Sequence, residues 1–64
     1  MDVEYMRETL IESGFRREFI EAHNAYFICS LFEVWDVEDP DVQMENAIDF
    51  LDYYNIDESE AFND

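Results

Sequence analysis

His23 and Cys29 are the chain's single histidine and single cysteine, and a thiol beside an imidazole is the simplest nucleophile the sequence could assemble. Six residues separate them. On a helix, six steps of about 100° point two side chains roughly 120° apart, so the spacing makes no local Cys–His pair. Both read as packing residues. The chain has no Gly-x-Ser-x-Gly elbow, no P-loop and no dinucleotide fingerprint, and its one glycine cannot build a phosphate-cradling loop. No enzymatic activity and no cofactor are expected.

Carboxylates are the other groups present in quantity, and a metal site is the first chemistry to test on them. A calcium loop of the EF-hand type needs Gly at its sixth position and Glu at its twelfth. Counting from Asp36 places Asp41 and Ala47 there; counting from Asp39 places Met44 and Phe50. Both frames fail at the two most informative positions, and no metal site is expected.

The acids are instead arranged in a row. In the stretch DPDVQMENAIDFLD, Asp41, Glu45, Asp49 and Asp52 are spaced by four, four and three, which puts them on one helical stripe. Like charges at such spacings oppose the helix by about 0.2–0.5 kcal/mol per pair. Nothing nearby relieves them. The chain has 18 Asp and Glu against 3 Lys and Arg, a net charge of −15. Its cations are Arg7, Arg16 and Arg17, so residues 18–64 hold 14 carboxylates and no Lys or Arg. Solubility alone is normally met with both signs interspersed, and here every opportunity for a Glu–Lys pair is declined.

The row has the dimensions of a phosphate backbone. Eleven helical steps from Asp41 to Asp52 cover about 16–17 Å. Four charges over that length approach the ~3.4 Å axial spacing of phosphates along one DNA strand. Asp36, Glu38 and Asp39 extend the row upstream; Asp57, Glu58 and Glu60 continue it downstream. Trp35, Tyr53 and Tyr54, with Tyr26, are candidate aromatic anchors beside it. So negative a surface repels nucleic acid and anionic membrane and attracts basic proteins.

These residues need elements to position them. A chain of 64 residues makes one domain, 1–64, near the lower size limit for independent folding. An apolar fraction of 48% is too high for a disordered acidic tail. Asp2 can cap a first helix over about 3–13 carrying Val3, Met6, Leu10 and Ile11, with Gly14 at the left-handed stop and Phe15 folding back. A second segment runs from Arg16 to about Trp35, with Phe19, Ile20, His23, Phe27, Leu31 and Val34 in helical period. For residues 25–35 periodicity does not separate a helix from a buried strand; the lack of a second strand to pair with favours the helix. Asp39 and Pro40 then start a third helix, at N-cap and first position, with Met44, Ala47, Ile48, Leu51 and Tyr54 facing inward. The tail IDESEAFND offers an Asp57-x-x-Glu60 cap, so that it either forms a short fourth turn with Phe62 docked or frays. The expected fold is all-α, a small bundle of three helices with that extra turn.

Two resemblances follow from these residues. A small, highly acidic helical chain with a linear carboxylate row resembles the DNA-mimic inhibitors of phages and mobile elements, which include anti-CRISPR, anti-restriction and uracil-DNA-glycosylase-inhibitor proteins. Members of that class share charge and size rather than a motif. The resemblance implies a stoichiometric inhibitor, anti-CRISPR first among the class, acting without catalysis. Its partner would be a basic nucleic-acid-binding protein or complex such as a CRISPR effector, a restriction enzyme or a DNA repair enzyme. Asp36, Glu38, Asp39, Asp41, Glu45, Asp49 and Asp52 would stand in for phosphates. Separately, LIESGF (Leu10 to Phe15) and NAIDFL (Asn46 to Leu51) resemble the first turn and third helix of a ubiquitin-associated domain. That resemblance implies an adaptor or regulator binding through apolar surface.

One cysteine allows no internal disulfide. MDVEYMRETL lacks the basic and apolar regions of a signal peptide, and no stretch approaches the roughly 20 apolar residues of a membrane span. The expected location is the cytoplasm, that of the host cell if the chain is phage-encoded. Self-packing of the apolar second half of the 16–35 segment would make a homodimer and enlarge a small core.

Overall fold

The computed structural model describes residues 2–63 and places them in five helices. These are α1 (Val3–Glu12), α2 (Arg17–Ala22), α3 (Ala25–Trp35), α4 (Pro40–Tyr53) and α5 (Glu58–Ala61). The all-α expectation holds, and among the described residues no strand forms. The simple three-helix arrangement does not describe the chain, because the segment from Arg16 to Trp35 is two helices. His23 and Asn24 leave the helical conformation between them, at ψ 150° and 170°. The Asn24 side chain accepts a hydrogen bond from the Phe27 N–H at 2.9 Å and restarts the helix as an N-cap. Residues 25–35 are therefore helix.

α3 is the central element. α1 and α4 each pack against it, α2 packs on α1, and α5 closes against α2. The fully buried large side chains are Leu10, Phe15, Ile20, Ile28, Leu31 and Leu51, so every helix except α5 or the turn beside it supplies one. α3 buries Phe27, Ile28, Leu31, Phe32 and Trp35 within the chain, and Tyr26 is its exposed large hydrophobic residue. The chain's own core thus takes up these five side chains of α3.

Two helices end in the same way. After α1, the Phe15 N–H bonds the Leu10 carbonyl and the Gly14 N–H bonds that of Ile11, both at 3.1 Å. After α4, the Ile56 N–H bonds Leu51 at 2.9 Å and the Asn55 N–H bonds Asp52 at 3.1 Å. This is the Schellman pattern, with Gly14 (φ 122°) and Asn55 (φ 58°) in the positive-φ position. In each case the following hydrophobic residue, Phe15 or Ile56, folds back onto the core.

The tail forms its turn rather than fraying. Asp57 caps α5 through the Ser59 N–H at 3.0 Å, and residues 61–63 lie antiparallel to 14–16. Arg16 N–H bonds the Ala61 carbonyl at 2.7 Å and Asn63 N–H bonds that of Gly14 at 2.9 Å. Phe62 stacks at a tilt on Phe15, with ring centroids 4.7 Å apart. These bonds clasp the end of the described chain to the first turn.

Candidate functional site

α4 is positioned by local and non-local bonds together. The Asp39 carboxylate accepts the Asp41 N–H at 2.9 Å, and Pro40 occupies the first turn, where no N–H is needed. Farther along, Gln43 donates its side-chain amide to the Trp35 carbonyl at 2.7 Å, and Asn46 donates to that of Val34 at 3.0 Å. Carbonyls at a helix C-terminus have no partner in their own helix, so two α4 amides serve the end of α3. This contact sets the rotation of α4 about its axis.

The rotation differs from the one the apolar spacing suggests. Met44 was expected to face inward, yet it is exposed, because Gln43, Asn46 and Phe50 take the side that meets α3. Ala47 and Leu51 are fully buried as expected, and Ile48 is half-buried at the margin. At about 100° per residue, Asp41, Glu45, Asp49 and Asp52 share an arc of about 80° directly opposite that buried side. All four are exposed. One flank of the arc carries Val42 and Tyr53, and the other carries Met44 and Ile48.

Asp36, Glu38 and Asp39, before α4, are exposed as well, as are Asp57, Glu58 and Glu60 after it. All seven acids assigned to the row are thus on the surface. Asp39 has part of its hydrogen-bonding capacity committed to the N-cap, and the α4 acids enter no ion pair among the described residues. The ion pairs among the described residues are Arg16–Glu18, Arg17–Glu8 and Arg17–Glu21, each 3.4 Å and each exposed. Arg7 is turned inward, donating to the Ile20 carbonyl at 2.6 Å. No described cation faces the row.

The aromatic candidates separate into two groups. Tyr53 is 80% exposed and Tyr54 41%; Tyr53 stands edge-on to Tyr54 at 5.0 Å. Trp35 is only 7% exposed and meets the Phe15 ring edge-on at 5.1 Å. It is a core residue, correcting its assignment as an anchor. The reason is its place at the end of α3, where the α1–α2 turn folds over it. Tyr26, 79% exposed at the start of α3, is the other free ring.

Compared with family models, curated proteins and solved structures, the chain shows no match. The chemistry open to the site is set by its own geometry.

That geometry leaves His23 and Cys29 apart, on different elements. His23 follows α2, its ring stacked on Phe27 at 3.9 Å and edge-on to Phe19 at 4.7 Å. Loss of solvent, and secondarily the charge of Arg7, lowers its pKa below the ordinary histidine value. Cys29 lies half-buried against the core on α3. Near the end of α4 a shallow depression of about 390 Å³ is lined by Asp52, Asn55, Ile56, Asp57 and Glu58. It is open to solvent, and among the described residues no cluster of three or more His, Cys, Asp or Glu is arranged to hold a metal ion.

The residues behind the ubiquitin-associated resemblance also have defined places. Phe15 and Leu51 are fully buried, and Asn46 is engaged with the end of α3. The Gly14–Phe15 turn consequently offers no aromatic side chain to a partner. Sequence spacing missed Val42 and Met44, 43% exposed on either side of the acidic arc. The available signal was the amide pair Gln43 and Asn46 on what the hydrophobic pattern makes a partly buried side.

Proposed function

We propose that the protein is a stoichiometric inhibitor of the anti-CRISPR type, a helical mimic of nucleic acid that occupies a basic groove of a nucleic-acid-binding defence complex. The carrying observation is the outward arc of α4, where Asp41, Glu45, Asp49 and Asp52 are all exposed and, among the described residues, none is paired with a cation. Arg and Lys of the partner would meet these carboxylates as they meet phosphates. Asp36, Glu38 and Asp39 lengthen the row at one end.

The mechanism is displacement. A dense negative surface steers a basic groove toward it from a distance. Docking then releases counter-ions held by both surfaces, so affinity falls steeply with salt, as it does for DNA itself. Occupation of the groove excludes the natural ligand without any bond being made or broken.

An adaptor binding through apolar surface is the second reading, favoured by the exposure of Tyr26, Val42, Met44 and Tyr53. The two readings differ in salt response. Immobilised protein is exposed to a bacterial lysate at low and moderate salt, and the bound proteins are identified by mass spectrometry. Nucleases or other DNA-binding subunits recovered only at low salt support mimicry. A non-basic partner held equally at both salts overturns it in favour of the adaptor.

A further inference from the structure

Five rings run from the core to the surface at the end of α4. His23 stacks on Phe27 at 3.9 Å, and Phe27 meets Phe50 and Tyr54 edge-on at 5.2 and 5.3 Å. Tyr54 is also tilted against Phe50 at 5.0 Å and meets Tyr53 edge-on at 5.0 Å. Exposure rises along the series: Phe27 is buried, Phe50 half-buried, Tyr54 41% exposed and Tyr53 80%. Packing accounts for the inner rings. It does not account for Tyr53, which makes one edge contact and leaves most of its surface in water. Phe27 and Phe50 hold Tyr54 in place, so the outer pair forms a corner of rings 84° apart with one wall fixed by the core.

Charge decides what such a corner accepts. Asp49 lies one helical turn before Tyr53, a spacing that brings side chains within about 5–6 Å at Cβ, and Asp52 is the adjoining residue. The last turn of α4, at the negative end of the helix dipole, carries no basic residue. The chain's own cations are engaged elsewhere: Arg7 on the Ile20 carbonyl, Arg16 on Glu18, and Arg17 on Glu8 and Glu21. An apolar occupant would cover carboxylates without pairing them, at a desolvation cost. An anion would be repelled. A cation gains from the ring face and the carboxylates together. A guanidinium suits both, because it lies flat on a ring and forks onto a carboxylate.

We propose that Tyr53 and Tyr54 form a docking site for an arginine side chain of a partner protein, with the guanidinium stacked on Tyr53 and bonded to Asp49. The site goes beyond the phosphate-mimic reading, since it selects arginine over lysine and needs no nucleic-acid groove.

Titration with an oligoarginine and an oligolysine of equal length tests this, read by affinity and by the tyrosine ring resonances in NMR. Oligoarginine should bind about two- to five-fold more tightly, the scale of one exposed cation–π contact. It should shift the ring signals of Tyr53 and Tyr54 more than those of Tyr5 and Tyr26. Tyr53→Leu should remove the preference while leaving oligolysine affinity nearly unchanged, and Tyr53→Phe should keep it. Both variants should melt with the parent, since Tyr53 is a surface residue. Equal affinity for the two peptides, a preference that survives Tyr53→Leu or is lost in Tyr53→Phe, or ring shifts centred on Tyr5 or Tyr26 would overturn the arginine site. Any of those results leaves mimicry standing, because mimicry predicts salt-dependent capture whichever cation meets the carboxylates.

Discussion

α1 and α4 are built alike and charged differently. Each begins at an aspartate that caps its own first turn, Asp2 or Asp39. Both pack on α3 and end in a Schellman turn. Each also carries exposed acids at four-residue spacing. Around α1, however, Arg17 reaches Glu8 from α2 and also pairs Glu21. Around α4 no described cation does the same. Exposed ion pairs contribute little to stability, typically about 0–1 kcal/mol, so the contrast is small as a matter of folding. It is large as a matter of surface potential, because charges that are unpaired and aligned add along the row. Under the proposed mimicry, this difference is the reason to assign the contact to α4 rather than to α1.

Neutralising the two rows separately is the strongest way to break this comparison. Asp41→Asn, Glu45→Gln, Asp49→Asn and Asp52→Asn in one variant should abolish lysate capture at low salt. If part of the binding survives, its log–log salt dependence should flatten by roughly three to four. Glu4→Gln, Glu8→Gln and Glu12→Gln should leave capture nearly intact. Equal losses from both variants would make net charge, rather than the row, the cause.

The same α4 variant should melt at higher temperature, since three like-charge pairs at about 0.2–0.5 kcal/mol each amount to roughly 1 kcal/mol. Added salt should raise the parent's melting temperature more than the variant's by screening the same repulsion. Lost binding with no thermal gain would mean that the row is not under repulsive strain.

The two helix stops make a smaller test of the likeness. Gly14→Ala should cost about 1–2 kcal/mol in denaturant unfolding, because a φ of 122° disfavours any L side chain even with open space around it. Asn55→Gly should be close to neutral, since asparagine already tolerates the left-handed region. A large effect at Asn55 would show that its side chain does more than permit the turn.

The smallest effect is expected from pH. Burial, followed by the Arg7 charge, lowers the His23 pKa in the folded protein. Below pH 6.5 the unfolded chain therefore takes up a proton that the folded chain resists. Stability from this group is complete above that pH and declines as pH falls toward the folded-state value. Denaturant titrations of the parent and His23→Gln across the window should differ in slope, and identical slopes would remove His23 as the cause.

The positions read correctly in advance share one property: their causes lie within a few residues. Asp2, Gly14, Asp39 with Pro40, and Asp57 act on backbone groups one to five residues away, which is why helix ends are legible from spacing. Asn24 had the same local chemistry, but the apolar period ran through it without interruption. The period then read as one helix. Met44 and Trp35 were misplaced for another reason. Their surroundings are set by partners distant in sequence, Met44 through the Gln43 and Asn46 bonds to α3 and Trp35 through Phe15. Of the candidate site, the seven acids could be found from charge and period alone. The apolar border of Val42 and Met44 could not.

Composition and spacing by themselves determined an all-α chain, its main helix boundaries and a line of carboxylates without cations, because capping, periodicity and like-charge alignment are short-range. The tertiary structure decided the break at Asn24, the closure of residues 61–63 on 14–16, the burial of Trp35 and the rotation of α4. The last three depend on which carbonyl or ring finds a partner across the fold, whereas the break at Asn24 is made by a local cap that the apolar period concealed. The same packing that turns Gln43 and Asn46 toward α3 turns Asp41, Glu45, Asp49 and Asp52 directly away from it.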